Sequence, residues 1–320
     1  MTIIESLILG IIQGITEFIP VSSSGHLTLF GKVFDVETDL MMSFTTMLHV
    51  GTLVAVFIVM RKEILAILKD IFGPKTWQLV IATVPAVIAA LLLGDWFESL
   101  FDGRTLGYQF LITGVILLST LMVKTNRDQG TGKVRKVSIN AEQPEEAFVD
   151  DVRAVAKTDT GDTQNDSLTA ATDSNENQNQ KIDDPLKDVS YKEALAAGIG
   201  QAVAIMPGIS RSGATLAALL FCKVNRKKAI RFSFLMSIPA IAGGFVLDML
   251  KIFKGEGSAI TDMNMLTLLI GVAAAAVSGY LAMNFMLRKL NAKGLLIFAG
   301  YVILIGLLVL IDQTWLHIVF

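Results

Sequence analysis

Residues 13–26 read QGITEFIPVSSSGH, and this stretch guides the interpretation of the whole chain. It places a carboxylate, three consecutive serines, a glycine and a histidine inside an otherwise apolar sequence. A degenerate copy follows at residues 198–213, which read GIGQAVAIMPGISRSG. Identical residues recur at a constant offset of 188 positions in these pairs: Gly10/Gly198, Ile11/Ile199, Gln13/Gln201, Ser22/Ser210, Ser24/Ser212 and Gly25/Gly213. Two related loops with different charged groups indicate two halves of one site.

The composition is that of an integral membrane protein. Of the 320 residues, 52% are hydrophobic and 18% are charged, whereas soluble domains carry about 25% charged residues. Several apolar runs approach the ~20 residues that a helix needs to cross a bilayer. The first residues carry neither a basic region nor a cleavage pattern, so no cleaved signal peptide is expected. The single cysteine excludes an internal disulfide framework.

Six apolar runs are predicted to span the membrane as helices. They are residues 40–60, 77–96, 106–123, 230–250, 266–287 and 295–311. Two further stretches, residues 3–34 and 194–222, are interrupted by proline, glycine and serine. Such backbone is tolerated at membrane depth only where protein or water satisfies it. We therefore predict two re-entrant helix–loop–helix hairpins, with a helix kinked at Pro20 or Pro207 as the alternative for each.

A polar segment, residues 125–190, separates two halves of the chain at residues 1–124 and 191–320. It begins basic, turns acidic and contains many Asn, Gln, Asp and Ser residues. Such a composition buries too little apolar surface to fold. We predict a disordered cytoplasmic linker that is dispensable for catalysis, with a small regulatory domain as the alternative.

The placement of lysine and arginine predicts the orientation of the spans. Basic clusters follow residues 40–60, 106–123, 194–222 and 266–287. These clusters share one side of the membrane only if each half contains one re-entrant hairpin and three spans. Because three is odd, the halves have opposite orientations and both termini are extracytoplasmic. The predicted fold is an all-α integral membrane protein of two inverted-topology repeats, each one hairpin plus three transmembrane helices.

The serine loops have the composition of an anion-binding site. Each provides hydroxyl groups beside a glycine, which permits a tight turn and close backbone approach. The helix N-terminus that follows such a loop favours an anion such as phosphate. Two facing loops are suited to a diphosphate, and the predicted substrate-binding residues are Gln13, Ser22, Ser24, Gly25, Ser210, Ser212 and Gly213. Close helix packing through small residues is the alternative.

Two charged residues within these apolar stretches are candidates for chemistry. Arg211 is costly in a membrane and binds phosphate oxygens in a bidentate manner. A structural ion pair with Glu17 is the alternative, and the two roles can coexist. Glu17 lies one helical turn after Gln13 and can bind a divalent cation or act as an acid or base. Magnesium or calcium is expected at Glu17, together with phosphate oxygens.

The histidines divide into one candidate and two residues predicted to be structural. His26 follows the serine loop directly. It is either the nucleophile on phosphorus or the base that activates Ser23 or water, and the sequence leaves both roles open. His49 lies within a predicted span, and His317 lies near the C-terminus.

The patterns QGxxEFxPxSSxGH at residues 13–26 and PGxSRSGAT at residues 207–215 resemble the undecaprenyl-diphosphate phosphatase family of the bacitracin-resistance type. The resemblance covers the chain apart from residues 126–188. It implies a hydrolase that converts undecaprenyl diphosphate to undecaprenyl phosphate, recycles the lipid carrier of cell-wall synthesis and confers bacitracin resistance. It also implies a homodimer in the bacterial plasma membrane, with a site that opens to the extracytoplasmic face. The expected partners are this lipid and the bilayer, and no nucleic acid.

By motif position, the family's catalytic residues fall on Glu17, Ser23, His26 and Arg211. Some members carry a second glutamate where this chain has Gln13, which weakens a two-carboxylate metal site and leaves Glu17 as the metal ligand. A lipid-phosphate transporter or flippase that uses the same loops without cleavage is the alternative function. The nucleophile-type residues Ser23 and His26 favour an enzyme, because binding alone needs only donors.

Overall fold

A computed structural model of the protein describes residues 1–123, 189–253 and 264–320. The regular elements within these residues are all helical, which confirms the predicted all-α class. The predicted linker at residues 125–190 lies outside the described residues, apart from Val189 and Ser190. The described residues belong to one structural unit.

The first half contains six α-helices. They are α1 Ile3–Phe18, α2 Ser23–Val33, α3 Thr38–Val59, α4 Arg61–Lys69, α5 Pro74–Ser99 and α6 Leu106–Leu121, with a 3-10 helix at Leu100–Asp102. The short helix α4 was not predicted. Its charged residues, Arg61, Lys62, Glu63 and Lys69, are typical of a polar connection. Its apolar residues nevertheless recur at helical spacing, and Met60 alone separates it from the end of α3.

The second half, within the described residues, contains five α-helices. They are α7 Tyr191–Val203, α8 Arg211–Phe221, α9 Arg226–Phe253, α10 Met265–Lys289 and α11 Ala292–Ile311, followed by a π-helical turn at Asp312–Leu316. Residues 19–22 separate α1 from α2, and residues 204–210 separate α7 from α8. Both interrupted stretches are therefore helix–loop–helix hairpins rather than single helices kinked at proline.

Five of the described helices are long and apolar enough to cross a membrane. These candidate spans are Thr38–Val59, Pro74–Gly94, Arg226–Leu247, Met265–Lys289 and Ala292–Leu316. The sixth predicted span, at residues 106–123, coincides with the 16-residue helix α6. A helix of that length reaches about 24 Å, less than the ~30 Å hydrocarbon core. Its crossing, the re-entrant course of the hairpins and the inverted orientation of the halves stay predictions.

The offset of 188 residues also appears in the local structure of the folded chain. It relates these pairs of helix starts: Ile3/Tyr191, Ser23/Arg211 and Thr38/Arg226. Thr2 and Ser190 open the first pair of helices with the same reciprocal capping box. Asp35 and Lys223 both take left-handed backbone conformations just after the second pair, with φ values of 52° and 63°. The same local signals therefore shape both hairpins.

Each hairpin packs against a long helix of the other half. Helix α1 lies against α10, and α7 lies against α5. Gly14 makes the first contact close, because a Cβ atom there would lie 2.5 Å from the carbonyl oxygen of Ala275. Gly198 does the same in the second contact, at 2.6 Å from the carbonyl oxygen of Ala82. This reciprocal packing brings the two serine loops towards the same region.

Candidate active site

The two serine loops are in direct backbone contact. A Cβ atom at Gly25 would lie 2.8 Å from the Cα atom of Gly208, so a side chain at position 25 would collide with the backbone of the other loop. Gly208 also has a φ of 86°, in the region that favours glycine. Gly213 approaches Pro20 on the other side of the contact. The structure thus brings together the two loops that the sequence predicts to share a site.

Glu17 lies in the last turn of α1 and is buried. The Ser23 hydroxyl donates to its Oε2 at 2.6 Å, and the Gln13 amide donates to the same oxygen at 3.2 Å. An Nη2 proton of Arg211 is donated to Oε1. His49 Nε2 lies 3.4 Å from Oε2. Because a buried carboxylate is costly without partners, this set of contacts is what allows Glu17 to lie inside the protein.

Arg211 joins the two halves of the centre. It is the first residue of α8, and its side chain is 20% exposed. Within the described residues, its Nη2 is the guanidinium nitrogen with an acceptor. A guanidinium has five N–H donors, so the remaining donors are available to phosphate oxygens. The ion pair with Glu17 is present, and it leaves room for the predicted phosphate contact.

Ser22 and Ser210 cap the helices that follow them. Ser22 Oγ accepts the Gly25 N–H at 3.2 Å, and Ser210 Oγ accepts the Gly213 N–H at 3.0 Å. These two glycine N–H groups therefore have acceptors in the first helical turn, and substrate binding at Gly25 and Gly213 stays a prediction. The Ser22 hydroxyl also lies 3.4 Å from that of Ser24, and the Ser210 hydroxyl lies 3.2 Å from that of Ser212.

Other first-turn donors remain open at the same place. The backbone N–H groups of Ser23, Ser24, Arg211 and Ser212 have no acceptor within residues 1–123, 189–253 and 264–320. They begin α2 and α8, where the positive end of each helix dipole favours an anion. The open backbone N–H groups thus belong to the residues just before each glycine.

His26 is buried beside the first loop, but its ring is engaged away from Ser23. Its Nδ1 lies 2.7 Å from the Ser22 carbonyl oxygen, and its Nε2 lies 2.8 Å from the Tyr301 hydroxyl oxygen. Phe110 packs edge-on against the ring, with centroids 5.2 Å apart. The proton of the Ser23 hydroxyl points to Glu17 instead. In this geometry Glu17, rather than His26, faces the Ser23 hydroxyl.

His49 is the site residue that sequence reasoning assigned to a structural role. It lies on α3, and its Nδ1 is held 2.7 Å from the Thr45 carbonyl oxygen while Nε2 faces Glu17. A signal was present, since a polar side chain within a membrane span usually faces the interior or a partner. His317, by contrast, is exposed near the C-terminus.

The environment of Gln13 bears on the predicted cation. Its Oε1 is buried without a partner in the described part of the chain, while the Nε2 of the same amide contacts the Glu17 carboxylate. An amide oxygen next to a carboxylate suits magnesium or calcium. No group of three or more His, Cys, Asp or Glu residues is placed to hold a metal within the described residues. Magnesium or calcium at Glu17 therefore stays a prediction, and such an ion would need further ligands besides these two residues.

These features define an all-helical membrane protein with a buried charged centre, built around Glu17 and Arg211, between two paired loops. The sequence profile of the bacitracin resistance protein BacA family matches residues 6–144 and 167–308. The chain belongs to this family, which confirms the resemblance. The profile extends further into the polar segment than predicted, so that within this segment residues 145–166, rather than 126–188, lie outside the family pattern.

Relatives at about one-third identity span the chain almost completely. "Undecaprenyl-diphosphatase 4" of a Bacillus cereus strain is 35% identical over 314 residues, which cover 98% of each chain. "Undecaprenyl-diphosphatase" of Carboxydothermus hydrogenoformans is 34% identical over 315 residues, again 98% of each chain. A protein of the same name from Methanobrevibacter smithii is 32% identical over 331 residues, or 97% of each chain.

Proposed function

We propose that this protein hydrolyses undecaprenyl diphosphate to undecaprenyl phosphate and inorganic phosphate, and so recycles the lipid carrier of peptidoglycan synthesis. The observation that carries the proposal is the Ser23–Glu17 hydrogen bond of 2.6 Å beside Arg211. The names of the relatives support the same activity. A flippase needs donors for the headgroup, but it has no need for a hydroxyl paired with a buried carboxylate, so this alternative is not favoured.

Ser23 is the attacking group in this proposal. Its Oγ forms a bond to the terminal phosphorus, and its proton passes to Glu17 Oε2. The bond between that phosphorus and the bridging oxygen breaks, and undecaprenyl phosphate leaves with the bonding electron pair. Glu17 gives the proton to the departing undecaprenyl phosphate and is a carboxylate again. Water then attacks the phosphorus of the phosphoserine and passes a proton to Glu17, the bond between phosphorus and Ser23 Oγ breaks, and Glu17 returns that proton to Ser23 Oγ as inorganic phosphate leaves. The 2.6 Å contact supports this role for Glu17, because a general base must lie within hydrogen-bond reach of the proton it takes.

The charge of the transferred phosphoryl group is met by fixed donors. Arg211 offers its remaining N–H groups, and the first turns of α2 and α8 offer the open backbone N–H groups described above. Such preorganised donors stabilise the transition state without having to reorganise. Gln13 Oε1 and Glu17 would hold a magnesium or calcium ion together with phosphate oxygens. That ion would supply further neutralisation of the phosphate charge.

The proposal includes an arrangement in the membrane. We place a homodimer in the bacterial plasma membrane, with inverted repeats and a site that opens to the extracytoplasmic face, as the family resemblance implies. The reciprocal packing of α1 on α10 and of α7 on α5 supports two related halves. The basic residues of α4 support a cytoplasmic position for that helix. Apolar tails of the lipid would lie along the exposed apolar faces of the spans.

Detergent-purified protein is expected to release inorganic phosphate from undecaprenyl diphosphate when magnesium or calcium is present. Phosphate release measured by colorimetry, with and without a chelator, tests both the activity and the proposed cation. Inactive Glu17→Gln protein purified in parallel controls for contaminating phosphatases. Absence of release by folded wild-type protein, together with lipid transfer across reconstituted vesicles, would favour the flippase instead.

His49→Ala is expected to lower kcat about tenfold to a hundredfold and to change KM little. The variant removes a neighbour that orients the Glu17 carboxylate, and hydrogen bonds to charged groups contribute about 1.5–3 kcal/mol. His49→Gln restores a donor and should recover part of the loss. Steady-state kinetics on both variants, with the exposed His317 replaced by alanine as a control, make the comparison. Wild-type kcat in His49→Ala would show that the contact with Glu17 has no part in turnover.

A further inference from the structure

The ring of His26 has a fixed hydrogen-bonding pattern. The Ser22 carbonyl oxygen can only accept a hydrogen bond, so the Nδ1 atom that lies 2.7 Å away must carry the proton. In the neutral ring, Nε2 is then an acceptor. The Tyr301 hydroxyl, 2.8 Å from Nε2, supplies the donor. The two rings are also nearly parallel, with centroids 5.6 Å apart and an interplanar angle of 9°.

The hydrogen bonds of the His26 ring act on the backbone of Ser22. It is a non-glycine residue with φ of 70° and ψ of 98°, a conformation that persists only when neighbouring contacts hold it. Its carbonyl oxygen accepts two bonds from His26, one from the backbone N–H at 3.2 Å and one from Nδ1. Its side chain caps Gly25. The His26 ring therefore helps to hold a strained cap.

The strained cap sets the position of the proposed nucleophile. Ser23 follows Ser22 directly as the first residue of α2, and its hydroxyl reaches Glu17 at 2.6 Å. A change in the Ser22 backbone would move this hydroxyl relative to the carboxylate. Small misplacements of reacting groups are costly, because the proximity term in catalysis depends on geometry.

We propose that Tyr301 is a positioning residue for the reaction. Its hydroxyl holds His26 in the tautomer and orientation that bind the Ser22 carbonyl, and through this loop it aligns Ser23 with Glu17. Tyr301 comes from α11, the last long helix, and it lies 275 positions from His26 in the sequence. The proposal rests on the phosphatase activity proposed above and gives His26 a positioning role in place of a chemical one.

Tyr301→Phe tests the proposal with the smallest possible change, because it removes one hydroxyl and keeps the ring. Loss of one net hydrogen bond corresponds to about tenfold. We expect kcat for phosphate release to fall by about this factor per folded molecule, with KM changed less than twofold. Tyr280→Phe is the matched control, because both tyrosines are 42% exposed on membrane helices. It should leave both constants within twofold of wild type.

Two replacements of His26 separate positioning from chemistry. His26→Asn keeps an N–H near the position of Nδ1 and can still bind the Ser22 carbonyl, whereas His26→Gln places its amide near the position of Nε2. We expect His26→Asn to retain clearly more activity than His26→Gln. In the His26→Asn background, Tyr301→Phe should change kcat less than twofold, because the hydroxyl has lost its acceptor.

Each failure has a distinct meaning. If the wild-type protein is active and Tyr301→Phe leaves kcat unchanged, the proposal is overturned. It is also overturned if Tyr301→Phe lowers kcat tenfold both in the wild-type protein and in the His26→Asn variant. Equal inactivity of folded His26→Asn and His26→Gln would return His26 to a chemical role and would also overturn it. If the wild-type protein releases no phosphate, the proposed function itself is at fault. Folded fractions are measured by size-exclusion chromatography and thermal unfolding.

Discussion

Glu17→Gln is expected to lower kcat about a thousandfold. The amide keeps the size of the side chain, but it cannot take the proton that Ser23 Oγ gives up when it attacks phosphorus. General acid–base groups typically contribute about 10²–10⁴-fold to a rate, and Glu17 is the group that faces the Ser23 hydroxyl at 2.6 Å. The measurement is phosphate release under saturating substrate, with lipid binding measured separately by equilibrium titration.

The same variant also leaves the Arg211 cation without its carboxylate, so folding has to be measured with activity. Glu5→Gln is a suitable control, because Glu5 belongs to the capping box of the same helix and glutamine serves there as well. Glu17→Asp keeps the negative charge but moves the carboxylate away from Ser23. Its kcat should lie between that of Glu17→Gln and that of the Glu5→Gln control. If folded Glu17→Gln protein retains more than about a tenth of wild-type kcat, Glu17 is not the base.

Arg211→Ala is expected to lose nearly all activity, with kcat/KM reduced at least about a thousandfold. Removing one partner of a buried ion pair costs about 3–5 kcal/mol, and the phosphate loses its cationic donor at the same time. Arg211→Lys keeps the charge without the planar fork, and it should recover only part of the loss. Kinetics and phosphate affinity measured on both variants distinguish the loss of the ion pair with Glu17 from the loss of the phosphate donor.

Arg231→Ala provides the matched control for this experiment. Arg231 also pairs with a glutamate, Glu63, at 3.3 Å, but its side chain is 41% exposed and it lies outside the site. The Glu63 side chain is 14% exposed, so the pair is partly buried and its loss can lower stability. Because the pair does not contact Glu17 or Ser23, activity per folded molecule should change little. Near-normal turnover by folded Arg211→Ala protein would remove Arg211 from the phosphate site and leave the ion pair with Glu17 as its whole role.

The sequence was sufficient to predict the helical class, both hairpins and the meeting of their loops. A motif that recurs at one constant offset predicts a duplicated local structure. Because Glu17 is present only in the first copy and Arg211 only in the second, the sequence predicted that the two loops share one site. The use of Ser22 and Ser210 as caps was harder to foresee, because serine and glycine at a helix start suit both capping and anion binding. Only the hydrogen-bond partners distinguish these uses.

The contributions of His49 and Tyr301 depend on packing between distant segments. His49 was visible as a polar residue in a span, but its sequence position does not say which side chain it meets. Tyr301 gave no signal at all, because aromatic residues are common in membrane helices and usually contact lipid or headgroups. Its partner becomes apparent only when α11 is placed beside the first serine loop.

The Glu17–Arg211 pair also has a consequence for biosynthesis. The partners are 194 positions apart, so the ribosome must translate about two thirds of the 320 residues before the carboxylate can meet its cation. Until then, a fully buried Glu17 would be costly. The newly inserted first hairpin is therefore expected to stay open to water or to the insertion machinery. A chain truncated before Arg211 would keep this defect permanently, which gives quality-control proteases a feature by which to recognise it.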